Sequence, residues 1–254
     1  MADTDRVTAA VMIIGDEILS GRTQDTNLNF IARLLSTHGV DVAEARVVPD
    51  IEDEIVDALN LLRKKYDYVI TTGGIGPTHD DITADSVAKA FGLPLHEHPE
   101  ILEIMTRRWG QGVELTPARR RMARVPEGGS LVRNSVQGPP GFQVQNVFVL
   151  AGVPSVMRGM MEDVVTKLRT GVPVTARTVR VDGAGEGVIA EPLANLAKAH
   201  PNLALGSYPF FGQEGYGSNL VIRGRDAAEV EATVEELIAA LAGIGAKSIT
   251  RVEG

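Results

Sequence analysis

The run Thr71-Thr72-Gly73-Gly74-Ile75-Gly76-Pro77-Thr78-His79-Asp80-Asp81-Ile82-Thr83 constrains this chain more than any other stretch. It follows the apolar Tyr68-Val69-Ile70 and precedes a helical pattern, so it carries the chain from a buried strand into a helix. Its glycines let backbone approach a ligand in conformations closed to other residues. The helix start then offers free N–H groups, which suit an anion. Asp80 and Asp81 would repel a phosphate unless a cation lay between them. The run therefore reads as a site for a phosphorylated ligand held together with a divalent metal.

The chain around it alternates strand and helix signals. Ala9 to Ile14 is a continuous apolar run and reads as a buried parallel strand. Leu28, Ile31, Leu34 and Leu35 recur at helical spacing, and Gly39 ends that helix. Val42–Val48 is a second strand, Ile51, Ile55, Leu59 and Leu62 mark a second helix, and Tyr68–Thr72 is the third strand. A helix is predicted over Ile82–Phe91 and another near Ile101–Trp109. Short strands are expected near Leu131 and Phe142, and a buried one at Val147–Leu150. Val156, Met160, Met161, Val164 and Leu168 then lie on one helical face. Such alternation makes an α/β domain with a mainly parallel sheet covered on both faces.

The pattern breaks at Thr170-Gly171-Val172-Pro173. Two domains are predicted, 1–170 and 171–254. The second reads β-α-β-β-α with a possible last strand, a small α+β unit.

Open parallel sheets bind ligands at the C-terminal ends of their strands. Three such ends lead into distinctive loops: Gly15-Asp16-Glu17, Gly73–Asp81 and Ala151-Gly152-Val153-Pro154. Asp16 and Glu17 are either polar turn residues or metal ligands. Asp80 or Asp81 could cap the following helix, but two adjacent acids exceed what one cap needs, so Asp81 is expected to face the ligand or metal. Asp25 or Thr26 is a natural N-cap for the first helix, and Thr26 and Asn27 offer a hydroxyl and an amide to a ligand diphosphate or ribose. Gly15, Gly73, Gly74, Gly76, Pro77, Thr78, Gly152 and Pro154 complete the expected ligand-binding set. His96-Glu97-His98-Pro99 reads as a surface turn, since no third ligand is spaced for zinc. Arg119-Arg120-Arg121 with Arg124 is expected to be helical, either as a solvated face or as an arm offsetting phosphate charge.

Composition removes several classes of function. The net charge of −8 argues against nucleic acid and anionic membrane as partners. No cysteine is present, so disulfides and thiolate chemistry are excluded. No apolar run approaches the roughly 20 residues needed to span a bilayer, and the polar start Met1–Arg6 lacks the order of a signal peptide. A cytoplasmic protein is expected. No Gly-x-x-x-x-Gly-Lys-Ser/Thr loop occurs, and no Gly-x-Gly-x-x-Gly follows the first strand.

Gly15-Asp16-Glu17-Ile18-Leu19, Thr23-Gln24-Asp25-Thr26-Asn27 and Gly73–Asp81, with Val125-Pro126-Glu127-Gly128 and Gly152-Val153-Pro154, resemble the molybdopterin-binding-like domain of competence/damage-inducible protein A. They are closer still to the corresponding domain of eukaryotic FAD synthase. The resemblance covers about residues 7–170, and Gly183-Ala184-Gly185-Glu186 resembles the start of the small KH-like domain that follows it. It implies a three-layer α/β/α fold and metal-dependent hydrolysis of a nucleotide pyrophosphate, with ADP-ribose or FAD as substrate and Mg, Mn or Co as the cation. Asp81 and Asp80 would be catalytic, and Asp16, Glu17 and Asp81 would hold the metal. In the wider family the glycine loop ends in Arg-Asp, which aligns with Asp80-Asp81 and makes Asp81 the ligand-side acid. The absent arginine weakens the alternative of molybdopterin binding or adenylyl transfer in molybdenum cofactor synthesis. A further alternative is a non-catalytic nucleotide-binding module. Neither the amidase domain of the competence protein nor the adenylyltransferase domain of FAD synthase is expected within these residues. The expected partners are a nucleotide or pterin and further copies of the chain. RNA is not expected of the KH-like part, because residues 172–254 carry 10 Asp and Glu against 7 Lys and Arg.

Overall fold

In the computed structural model, residues 6–109, 114–136, 138–212 and 215–252 are described. They fall into two compact units, Met1–Gly171 and Val172–Gly254. The first unit opens with β1 (Val7–Ile14), α1 (Asp16–Leu19), α2 (Asn27–Thr37), β2 (Val40–Val48), α3 (Glu52–Lys65), β3 (Tyr68–Thr72) and α4 (Thr83–Phe91). It continues with β4 (Leu95–Glu97), α5 (Pro99–Trp109), α6 (Pro117–Arg121), β5 (Arg124–Pro126), β6 (Ser130–Val132), β7 (Gly141–Val144), β8 (Val147–Leu150) and α7 (Pro154–Lys167).

β1 is buried from Ala9 to Ile14, a pattern that requires cover on both faces. The sheet order is β2-β1-β3-β8-β7-β6. β2, β1, β3 and β8 are parallel, and β7 alone runs against its neighbours. Successive β1 side chains serve opposite layers. Val11 and Ile13 join Ile31 and Leu35 of α2 and Met157, Met160 and Val164 of α7. Met12 and Ile14 join Ile55 and Leu59 of α3, Val87 of α4 and Ile101 and Met105 of α5. The predicted three-layer α/β/α fold with a mainly parallel sheet is thus observed.

Two local readings are corrected. His96 and Glu97 lie in β4, paired with β5, rather than in a surface turn. The basic run is not one helix through Arg124, because α6 stops at Arg121 and Arg124 opens β5. Ala123 and Val125 are fully buried on either side of Arg124, and that period of two demands extended backbone.

The second unit runs β9 (Thr175–Asp182), α8 (Glu186–Ala199), β10 (Ala204–Gly212), β11 (Gly215–Gly224), α9 (Ala227–Ala240) and β12 (Ser248–Val252). Its antiparallel sheet has the order β10-β11-β9-β12. Val179, Val181, Leu220 and Ile222 face Ile189 and Leu196 of α8 and Val230, Val234 and Leu237 of α9. Asp226 caps α9 by accepting from the N–H groups of Ala228 and Glu229. The last strand, open in the sequence, is present. Among the described residues, no helix is long and apolar enough to cross a membrane.

Three of the sheet edges, β2, β10 and β6, are blunted. β2 carries Asp41, Glu44 and Arg46, and Glu44 accepts from Tyr66, Lys65 and Arg46. Those three bonds hold its carboxyl down at about 2. β10 carries Pro209. β6 is gripped by α7: Lys167 Nζ donates to Leu131 O at 2.7 Å, and Arg133 N donates to Asp163 Oδ2 at 2.9 Å. Asp163→Ala removes the acceptor for Arg133 and loosens Lys167, its partner at 2.7 Å. It is expected to destabilise the first unit by about 1–2 kcal/mol in urea unfolding. Unchanged stability would show that water serves the edge equally well.

Candidate functional site

The parallel order sets the C-terminal ends of four strands side by side. Ile14 pairs with Val48, Ile13 with Thr72, and Thr72 with Leu150. Each strand then passes into a loop on the same rim.

The loop after β3 is shaped by close approach. Gly73 has φ +104°, and a Cβ there would stand 2.1 Å from the carbonyl oxygen of Ile14. At Gly74, with φ +66°, a Cβ would stand 2.1 Å from Thr83 Oγ1. The carbonyls of this loop turn into α4: Thr83 Oγ1 donates to Gly73 O and Thr83 N to Gly74 O, both at 3.0 Å. Among the described residues, the N–H groups of Gly74, Ile75 and Gly76 meet no protein acceptor. That leaves a row of donors beside the start of α4, the arrangement an anion needs.

Asp81 braces this loop instead of capping the helix. Its Oδ2 accepts from Thr78 N at 2.8 Å and Thr78 Oγ1 at 2.6 Å. The N-cap of α4 is Ile82, with no side-chain bond to the first helical N–H groups. Asp80 is exposed. Its carboxyl is held below the ordinary range by the nearby Thr78 hydroxyl dipole, whose proton goes to Asp81, and by its own N–H. Pro77 and Thr78 are exposed on the outer side of the loop.

Asp50 is the acid that the sequence reading missed. It follows β2 as Asp16 follows β1, and its Oδ2 accepts from Asp16 N at 2.9 Å. Partial burial pushes its carboxyl above the ordinary range. The Asp16 N–H opposes this, while the like charges of Asp16, Glu17 and Asp80 add to it. Acids from three loops thus act on one another. Asp81 is not among the charges that act on Asp50, and its Oδ2 is held by Thr78. Glu17 folds back over Gly15, where a Cβ would stand 2.5 Å from Glu17 Oε1.

On the other side of the glycine loop, Gly152 packs so closely that its Cβ would stand 3.3 Å from Gly73 Cα. Asn27 Nδ2 donates to Gly152 O at 2.8 Å, while Asn27 Oδ1 is buried and unpartnered. One of the two amide N–H donors is therefore used, and Oδ1 is left as a buried acceptor. It suits a ribose hydroxyl and not a phosphate oxygen. Asp25, not Thr26, caps α2, accepting from the N–H groups of Asn27 and Leu28. Thr26 and Pro154 are exposed on the flanks of the rim. Leu19, Ile51 and Val153, each more than half exposed, lie on the loops after β1, β2 and β8.

Among the described residues, no three His, Asp or Glu side chains stand ready-made around a metal ion. The donor chemistry nevertheless fits a hard divalent cation. Asp16, Glu17, Asp50 and Asp80 are hard oxygen donors of the type such an ion takes, and burial and the charges of the other three raise the pKa of Asp50. A cavity of about 420 Å³ lies elsewhere, between α5, β6 and α7, and none of the predicted site residues lines it. Gly73→Ala sets a side chain against the Ile14 carbonyl at positive φ. We expect a loss of about 2–4 kcal/mol in urea unfolding, and a loss below 0.5 kcal/mol, roughly that of an indifferent surface change, would show that the loop shifts freely.

Comparison with known proteins agrees with this geometry. Residues 10–170 match the family described as a probable molybdopterin binding domain, and residues 173–248 match the middle domain of FAD synthase. A protein of Archaeoglobus fulgidus is 33% identical over 226 residues, covering 89% of this chain and 94% of its own. A CinA-like protein of Gemmatimonas aurantiaca is 31% identical over 91% of this chain, which spans 56% of that relative's length. The crystal structure of the protein CinA from Thermoplasma acidophilum is similar at 35% identity and a TM-score of 0.60, covering 64% of this chain and 98% of that one. The chain belongs to the molybdopterin-binding-domain family, among its CinA-like members.

Proposed function

We propose that the rim binds the diphosphate of a nucleotide such as ADP-ribose or FAD and that the chain hydrolyses it with a divalent cation. The carrying observation is the convergence of Asp16, Glu17, Asp50 and Asp80 beside a loop of unpaired N–H groups. The loop N–H groups bind and orient one phosphate. The cation, held by those acids, supplies positive charge to the phosphoryl oxygens. Asp81 keeps the loop in register through Thr78. Asn27 Oδ1 accepts a ribose hydroxyl. Asp50, bonded to Asp16 N through Oδ2, keeps Oδ1 to face the cation.

The family match favours a second reading, in which a pterin occupies the rim with Leu19, Ile51 and Val153 against its ring. Release of AMP from ADP-ribose or FAD under Mg, Mn or Co distinguishes the two. We expect turnover that stops in EDTA and returns with added cation. Tight nucleotide or pterin binding without turnover under any cation would make the protein a binding module.

A pH titration addresses the cation site. A divalent cation should raise the melting temperature at neutral pH. Protonated Asp50 has no charge to offer, and its raised pKa means that it protonates earlier on acidification than an ordinary carboxylate. The cation-induced shift should therefore fade on acidification sooner than ordinary carboxylates would dictate, and Asp50→Asn should abolish it. A full shift in Asp50→Asn would place the cation elsewhere.

A further inference from the structure

The basic run Arg119-Arg120-Arg121 with Arg124 divides sharply in the structure. Arg124 holds Asp85 with two bonds, at 2.8 and 2.6 Å. Arg120 is paired with Glu97 through both Nε and Nη2. Arg119 donates to Glu114 O at 2.9 Å, away from the glycine loop. Arg121 differs. Its Nη2 donates to the carbonyl of Asp81 at 3.0 Å, which ties the guanidinium to the last residues of the glycine loop. Its Nε is buried without an acceptor. Its nearest carboxylate, Asp85 Oδ2 at 3.9 Å, is already engaged by Arg124.

A guanidinium carries five N–H donors in a fixed fork. Here one of them is bonded to the loop, Nε is buried and unmet, and the side chain as a whole is 31% exposed. An unmet donor on a permanent cation calls for a charged acceptor more strongly than for water. The surroundings make the same demand from the other side. Asp16, Glu17, Asp50 and Asp80 give the rim a negative field in which neutral N–H groups hold a phosphate poorly. A protein cation fixed to the loop corrects this on the α4 side, apart from any divalent ion among the acids.

We infer that Arg121 binds a phosphoryl group of the ligand seated in the glycine loop, and so selects for phosphorylated ligands. This rests on the reading that the loop holds a nucleotide. The tether to Asp81 O sets the fork at the end of the row of loop donors. A glutamine variant removes both the charge and the reach of Nη2 to Asp81 O, so the ratio of ADP to adenosine affinity, and not either affinity alone, separates the phosphate contact from the tether.

The test is calorimetric titration of ADP and of adenosine into the full chain at one fixed magnesium concentration, for wild type, Arg121→Gln and Arg121→Lys. Arg121→Gln should weaken ADP by about 10–100-fold, the worth of a lost charge-assisted bond, and leave adenosine within about twofold. Arg121→Lys, which keeps the charge and loses the fork, should fall between. The salt dependence of ADP binding should be shallower in the glutamine variant. Equal losses for ADP and adenosine would show a structural tether only, and no loss for either would overturn the inference directly. Wild type that binds neither ADP nor ADP-ribose would overturn the nucleotide reading and this inference with it. A wild type that binds both, with the ADP-to-adenosine ratio unchanged in the variants, would overturn this inference alone. If the glutamine variant fails to fold, the ratio in Arg121→Lys decides by itself.

Discussion

The site depends on how tightly the backbones of β1, β3 and β8 close upon one another at their C-terminal ends. Gly73 has no room for a methyl group beside the Ile14 carbonyl, and Gly152 then packs against Gly73 itself. Three loops are thereby drawn within reach of one ligand. Hydrogen bonds hold the same junction: Gly15 N to Val48 O, Gly73 N to Leu150 O, and Asn27 Nδ2 to Gly152 O. A bulkier residue at Gly73 would spread the strands and with them the acids and donors. Backbone proximity therefore comes before side-chain chemistry here.

The electrostatic arrangement follows from that proximity. Strand ends laid side by side bring Asp16, Glu17, Asp50 and Asp80 within range of one another, and Asp50 registers the crowding. Crowding of like charges in a partly buried place is unfavourable unless something relieves it. Structural ion pairs elsewhere in the chain show the contrast. Asp85 has Arg124, Glu97 has Arg120, and Glu44 has Lys65 and Arg46. Asp16, Glu17 and Asp50 have no ion-pair partner among the described residues, and Asp80 has only the His79 ring, 3.9 Å away.

Much of this was legible in the sequence. Long apolar runs and helical periods marked β1, α2, α3, α7 and α9, because those elements bury wide faces. The glycine run announced its own loop, since few other residues tolerate its backbone. The misses share a cause. β4 and β5 are short, and each is stabilised by the other and not by its own pattern, so His96-Glu97 and Arg124 looked like turn and helix. Asp50 follows a strand as many turn acids do, and only the placement of β2 beside β1 gives it a role. Which of two adjacent acids turns inward is a matter of one rotamer and one threonine: Asp81 bends back to Thr78 while Asp80 looks out. Sequence spacing has no access to that choice.

Pro209 has a consequence for how copies of this chain can meet. It sits in β10 opposite Ser218, and β10 is one of the two edge strands of the second sheet, β12 being the other. Proline has no N–H to donate, so the ladder beyond β10 has a missing rung. The first sheet is guarded at β2 by charged side chains and at β6 by α7. A stray strand from another molecule finds interrupted or occupied hydrogen-bonding margins at these three, which disfavours open-ended stacking of chains through them. In the two larger sheets, that leaves β12 as the edge through which strand could add to strand.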